Sequence, residues 1–190
     1  MRPIPLRKAY LFYCKTKKQE YIETEKQVQM ILNNIHENNN QNTSNEKVQF
    51  AIVSEKNAII QRLKEAILKT QMSVCVVTSE KRFSDAILEF EKMYQEVLGK
   101  GVTIRIVTNR HIPKEEVLKI LENLSKDPSF AVKYFDKPPP AIITVFDNKE
   151  AFVTLSPTAQ LAGASSIWSN NPSFVVLAQI YFEKQWNEAS

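Results

Sequence analysis

From residue 48 onward the chain alternates between two hydrophobic periods. Short apolar runs at 48–53, 73–78, 102–108, 130–135, 141–146 and 151–155 have strand length, and another short run at 165–169 follows them. The run at 73–78 is apolar throughout, the pattern of a strand buried on both faces. Between the first four runs the spacing changes to three and four. Ile59, Leu63, Ala66 and Ile67 share one helical face after Ser54, which is placed to cap it. Ile87, Phe90, Tyr94 and Val97 form the inward stripe of a helix expected from about residue 84, closing at Gly99 or Gly101. Pro113 opens a third helix with Val117, Ile120, Leu121 and Leu124 inward, and Asn171-Pro172 caps and opens a last one that runs to about Glu188. Strands alternating with helices predict an α/β fold, a sheet covered by helices on both faces.

Ahead of this module the pattern differs. Leu6, Tyr10, Tyr13, Tyr21, Val28, Ile31, Leu32 and Ile35 follow a spacing of mostly three or four, the stripe of one long helix, weakened at Lys17 and Thr24. Such a helix does not bury its stripe alone, so residues 1–36 are expected to pair with a second copy in a coiled-coil-like homodimer. Packing against the flank of the module is the alternative. Residues 37–47, rich in Asn, Gln, Ser and Thr, read as a polar linker to the domain at 48–190.

Composition narrows the function classes. Of 190 residues, 43% are hydrophobic, as in a globular domain, and the net charge of +4 is modest. Arg7, Lys8, Lys15, Lys17 and Lys18 concentrate it near the start, first as a solvated helix face and second as a surface for phosphates. The only glycines, at 99, 101 and 163, exclude Gly-rich phosphate loops. Cys14 and Cys75 make no disulfide framework, which with the absence of a signal peptide or apolar span leads to the expectation of a cytoplasmic protein with no membrane partner. No Cys/His spacing suits zinc, so neither metal nor cofactor is expected.

The chemistry centres on residues 140–186. Pro140 leads into the run Ala141-Ile142-Ile143-Thr144-Val145-Phe146, followed by a turn at Asp147-Asn148-Lys149-Glu150, a second strand, Ser156-Pro157-Thr158, a third strand, and a helix containing Tyr181-Phe182 and Trp186. This order resembles the second part of a phospholipase D-like module. Members with phosphodiesterase activity carry His-x-Lys-x-x-x-x-Asp on the first of these strands and Gly-Ser-x-Asn after the second. Here Asp147 matches the Asp, but Pro140 stands at the His position and Ile142 at the Lys position, and Gly-Ser-x-Asn is absent. The resemblance therefore implies the scaffold without its catalytic residues.

Phe50-Ala-Ile-Val-Ser-Glu55, Lys100-Gly101 before Val102-Thr-Ile-Arg-Ile, Trp168-Ser169-Asn170-Asn171-Pro172 and the N-terminal Pro3-Ile4-Pro5-Leu6 extend the resemblance to TrmB-like archaeal transcriptional regulators. It implies a phospholipase D-like mixed sheet behind a long dimerising helix, and an effector-sensing, non-catalytic role. DNA would be contacted only through a winged helix-turn-helix, which is not found before residue 6. The alternatives are a divergent phosphodiesterase or nuclease using His111 across a dimer, and a purely structural dimerisation domain.

In open α/β sheets ligands settle beyond the carboxyl ends of the strands. On that rule a small polar or anionic effector is expected at Thr78, Ser79, Asn109, Arg110, His111, Ser156 and Asn170, with Trp168 as an aromatic wall. Thr, Ser and Asn after strands are also ordinary caps and turn formers. Arg105, alternating with Ile104 and Ile106, is read as a structural ion-pair partner.

Overall fold

The computed structural model describes residues 48–110, 112–156 and 160–190. The expected dimerisation helix, the linker and His111 lie outside the described residues. Seven strands, β1 (Phe50–Val53), β2 (Ser73–Val77), β3 (Thr103–Asn109), β4 (Phe130–Phe135), β5 (Ile142–Phe146), β6 (Glu150–Thr154) and β7 (Ser166–Ser169), form one mixed sheet. Its order is β1-β7-β6-β5-β2-β3-β4. The helices are α1 (Lys56–Lys69), α2 (Glu80–Leu98), α3 (Glu115–Leu124) and α4 (Pro172–Glu188).

Topology follows the connections. β2, β3 and β4 are joined by helical crossovers and pair in parallel, whereas β5, β6 and β7 follow one another with no helix among the described residues between them and pair antiparallel. β5 also lies antiparallel against β2, bringing Ile143 opposite Val77. The β5–β6 hairpin turns through Asp147 and Asn148, both at positive φ (52° and 55°), a backbone that matches the twist of the flanking strands. Asp147 suits it for a second reason: its carboxylate accepts the backbone N–H of Gln71, Met72 and Ser73 at 2.7–2.9 Å and fixes the start of β2. Gly101, at φ 85°, supplies the left-handed step that returns the chain from α2 into β3.

The period of two sorts each strand between two cores. Val74, Ile104, Ile106, Phe146, Phe152 and Trp168 face α1, α2 and α3, where Ile59, Ile67, Phe83, Ile87, Val97 and Leu124 are buried. Their neighbours Cys75, Val77, Val107, Val145 and Ala151 face α4, around a fully buried Phe182. Helices therefore cover both faces, as the alternation predicts. Arg105 points to the α4 face and pairs with Glu183 through two bonds of 2.7 and 3.2 Å, its guanidinium lying 4.8 Å from the centre of the Phe182 ring. The ion-pair reading of Arg105 thus holds.

Three boundaries differ from expectation. Ser54 does not cap α1; Glu55 stands at that position without a side-chain bond, and the Ser54 hydroxyl accepts instead from Ser165 at 2.9 Å. The third helix begins at Glu115, leaving Pro113 in the lead-in. The second begins at Glu80, one turn before residue 84, because Glu80 N–H is held by Asn109 Oδ1 at 2.9 Å from the end of β3. A tertiary contact sets that start. The Asn171 cap is as expected, its Oδ1 accepting from Phe174 N–H at 3.1 Å.

Candidate functional site

β2, β3 and β6 run one way, β5 and β7 the other. One edge of the sheet therefore collects the carboxyl ends of β2, β3 and β6 with the starts of β5 and β7. Thr78, Ser79, Asn109 and Arg110 lie there, and Ser156 leaves β6 at the same edge. Trp168 and Asn170 do not, because β7 is reversed and carries them to the opposite edge. The expected ligand residues thus form two groups rather than one.

Within the first group the polar side chains are largely engaged with the fold. Asn109 bonds both the Glu80 N–H and, through Nδ2, the Glu80 carboxylate at 3.0 Å. Arg110 is exposed, donates to Ser190 Oγ at 2.8 Å and lies 3.3 Å from Asp136. Ser79 precedes α2 and is buried, and its hydroxyl has no partner among the described residues; the same is true of Thr108. At the far edge, Trp168 is mostly buried, donates from Nε1 to Glu150 at 2.5 Å and is covered by the Arg62 guanidinium 4.1 Å from its ring centre. Asn170 Oδ1 accepts from Gln49 N–H at 2.7 Å and so ties β7 to the residue before β1.

The site that emerges at the first edge centres on a residue the sequence analysis did not select. Arg82, in the first turn of α2, is only 4% exposed. Its Nη1 donates to the Gln160 carbonyl at 2.8 Å and its Nη2 to Thr154 Oγ1 at 3.1 Å, and Thr154 Oγ1 lies 3.3 Å from Ser166 Oγ. Every one of these acceptors is neutral. Burial lowers the Arg82 pKa to about 10, with Asp85 pulling the other way, so the side chain stays cationic at neutral pH. No carboxylate among the described residues lies within 4.0 Å of it. Asp85, one turn along α2, accepts instead from Leu161 N–H at 3.3 Å.

Arg82 borders a cavity between the sheet and helices α1 and α2, with about 40 Å³ open to the centres of water-sized groups. Thr78, Arg82, Thr154 and Ser166 supply its polar end, and Leu63, Ile87, Phe90, Ile106 and Phe152 are among its apolar walls. Among the described residues Arg82 is the only charged one in its lining. A signal for it existed: Arg82, Ala86 and Phe90 are four residues apart, so a helix begun at Glu80 puts an arginine on an inward stripe. Starting that helix at residue 84 hid it.

The positions that would carry the phosphodiesterase histidine and lysine begin β5 at this same edge. Pro140 is exposed, and Ile142 is buried, pairs with Thr154 and lines the cavity. Asp147 lies at the other end of β5, engaged with the backbone of residues 71–73. Among the described residues no three His, Cys, Asp or Glu side chains converge as metal ligands, and no helix is long and apolar enough to cross a membrane.

An open-edged mixed sheet with this strand order and helices on both faces is the phospholipase D-like fold. TrmBL2, an archaeal chromatin protein whose structure shows a novel mode of DNA binding, superposes with a TM-score of 0.59 at 18% identity, over 100% of this chain and 72% of that one. NucT from Helicobacter pylori superposes at 0.59 and 13% identity, over 75% of this chain and 98% of its own. Nuc from Salmonella typhimurium, a phospholipase D family member, does so at 0.54 and 13%, over 76% and 96%. At these identities the likeness is one of fold. No protein-family model matches the chain, and no curated protein matches it in sequence.

Proposed function

We propose that this chain is the non-catalytic, effector-sensing and dimerising part of a TrmB-like transcriptional regulator. One observation carries the reading. Where the catalytic lysine of a phospholipase D-like enzyme would stand, Ile142 is buried in the wall of an apolar cavity, and Pro140 occupies the histidine position. A proline has no nucleophile or transferable proton, and an isoleucine no charge for a phosphate. The fold is shared with TrmBL2, an archaeal chromatin protein, and with a phospholipase D family member alike, so the choice between regulator and phosphodiesterase rests on these two positions. Residues 1–36 pair two copies, a ligand at the β2–β6 edge biases one arrangement of the pair, and DNA reading falls to a winged helix-turn-helix outside residues 1–190.

Two measurements on the full chain test this. Sedimentation should give a dimer that Ile31→Asp with Ile35→Asp converts to monomer; a double variant that stays dimeric overturns the role given to the helix. Hydrolysis of bis(p-nitrophenyl) phosphate should be at background. Turnover abolished by His111→Ala would establish the divergent phosphodiesterase instead.

A further inference from the structure

We infer that the cavity at Arg82 is a binding site for a short-chain monocarboxylate, held by its carboxylate against the guanidinium with its hydrocarbon end under α1 and α2. This deepens the sensor reading, on which its biological role rests; the binding itself is tested separately.

The first ground is an unbalanced charge. A guanidinium this buried is ordinarily paired with a carboxylate, because solvation lost on burial is regained only from an opposite charge with good geometry. Arg82 has two neutral oxygens, from Gln160 and Thr154, and no carboxylate within ion-pair distance among the described residues. Asp85 offsets part of the charge from a distance while holding Leu161 N–H. A planar fork of N–H donors beside two hydroxyls, Thr154 and Ser166, 3.3 Å apart, is a receptor for a carboxylate group.

The second ground is the shape and lining of the cavity. Its one charge and three of its hydroxyls, from Thr78, Thr154 and Ser166, lie at the sheet edge, and apart from Thr144 and the Tyr94 phenol its remaining walls are aliphatic and aromatic, so the ligand has one polar end and one largely apolar end. With one cation in the lining, a monoanion leaves the site neutral, whereas a phosphate monoester would leave a buried negative charge. The 40 Å³ open to water-sized centres holds about three waters, room for an acid of roughly two or three carbons. A sugar is too large and a bare halide leaves the apolar end unfilled.

The test uses the full chain in a chloride-free sulfate buffer at fixed ionic strength, with binding read by calorimetry and melting temperature. Propionate should bind and raise the melting temperature, while its neutral isostere propionamide, chloride and methyl phosphate should do so at least about tenfold less effectively. Arg82→Met should fold, since it replaces an unpaired charge by an apolar chain of similar length, and should lose the propionate response. Thr154→Val should weaken binding several-fold, and Asp85→Asn should tighten it by removing a competing negative charge. These two variants carry the test if Arg82→Met does not fold. Equal responses to propionate and propionamide, a response to propionate that survives Arg82→Met, or no response at all would each overturn the site. Chloride saturating the effect would reassign it to a halide. Propionate binding together with phosphodiesterase turnover would keep the site and overturn the regulator.

Discussion

Replacing Asp147 by alanine should destabilise the domain by about 4 kcal/mol. The side chain accepts three backbone N–H bonds, from Gln71 at 2.9 Å, Met72 at 2.7 Å and Ser73 at 2.9 Å. A bond to a charged acceptor is worth about 1.5–3 kcal/mol, but Gln71 and Met72 are exposed and their N–H groups regain water, which reduces each to about 1 kcal/mol. Ser73 is half-buried at the start of β2 and contributes about 2 kcal/mol, less readily replaced. Alanine at a φ of 52° adds about 1 kcal/mol of left-handed strain. Full additivity is not expected at one residue, hence about 4 rather than 5 kcal/mol. Asp147→Asn keeps tolerance of that backbone and one oxygen, so about 1–2 kcal/mol is expected. Equilibrium urea unfolding of the three proteins measures both differences. If alanine costs under about 1 kcal/mol, or asparagine costs as much as alanine, the bonds counted here do not hold the turn. The outcome bears on function: an aspartate the fold requires is retained whether or not a histidine and lysine precede it, so Asp147 beside Pro140 and Ile142 is no sign of chemistry.

Further outcomes concern the α4-side core, its cap, the Arg105–Glu183 pair and Cys75. Phe182→Ala, at the centre of the α4-side core, should cost about 3–5 kcal/mol in urea unfolding or leave the chain without near-ultraviolet dichroism. Asn171→Ala removes the bond to Phe174 N–H and should cost about 1 kcal/mol, with helix α4 otherwise retained. Glu183→Ala should cost no more than about 1 kcal/mol, since its pair with Arg105 is partly solvated. Arg105→Ala should cost more than Glu183→Ala, because its guanidinium also covers Phe182 and Trp186; equal losses would reduce Arg105 to its charge. Burial raises the Cys75 thiol pKa, so the folded state keeps a proton that the unfolded chain releases, and stability should fall as pH rises through the ordinary thiol range. Iodoacetamide labelling of Cys75, followed by peptide mapping, should track global unfolding, and rapid labelling in native buffer would contradict its burial.

Much of the fold was legible because period and length agree over residues 48–190. The apolar runs at 73–78, 102–108, 130–135 and 141–146 correspond to β2, β3, β4 and β5, and the inward stripes expected for the first three helices are buried, except for a half-buried Ile120. The misplaced starts have local causes. Ser54 and Pro113 have the chemistry of helix starts, yet α1 and α3 begin two residues after each, at Lys56 and Glu115. The start of α2 depends on Asn109, 29 residues away in sequence, a partner that no window around residue 80 contains.

The candidate site was legible only as far as strand direction was. Placing Thr78, Asn109, Ser156, Trp168 and Asn170 around one pocket assumes that every strand ends at the same edge, which holds for β2, β3 and β6 and fails for β7. The short turn between β5 and β6, with no room for a crossover helix, already required those two to be antiparallel. Applied to the next connection, the same rule reverses β7 and sends Trp168 and Asn170 to the far side. It also brings the beginning of β7, Ser166, against the end of β6, Thr154, in register. Those two hydroxyls meet over Arg82, so the direction that removes two residues from the expected site supplies two of the groups that build the observed one.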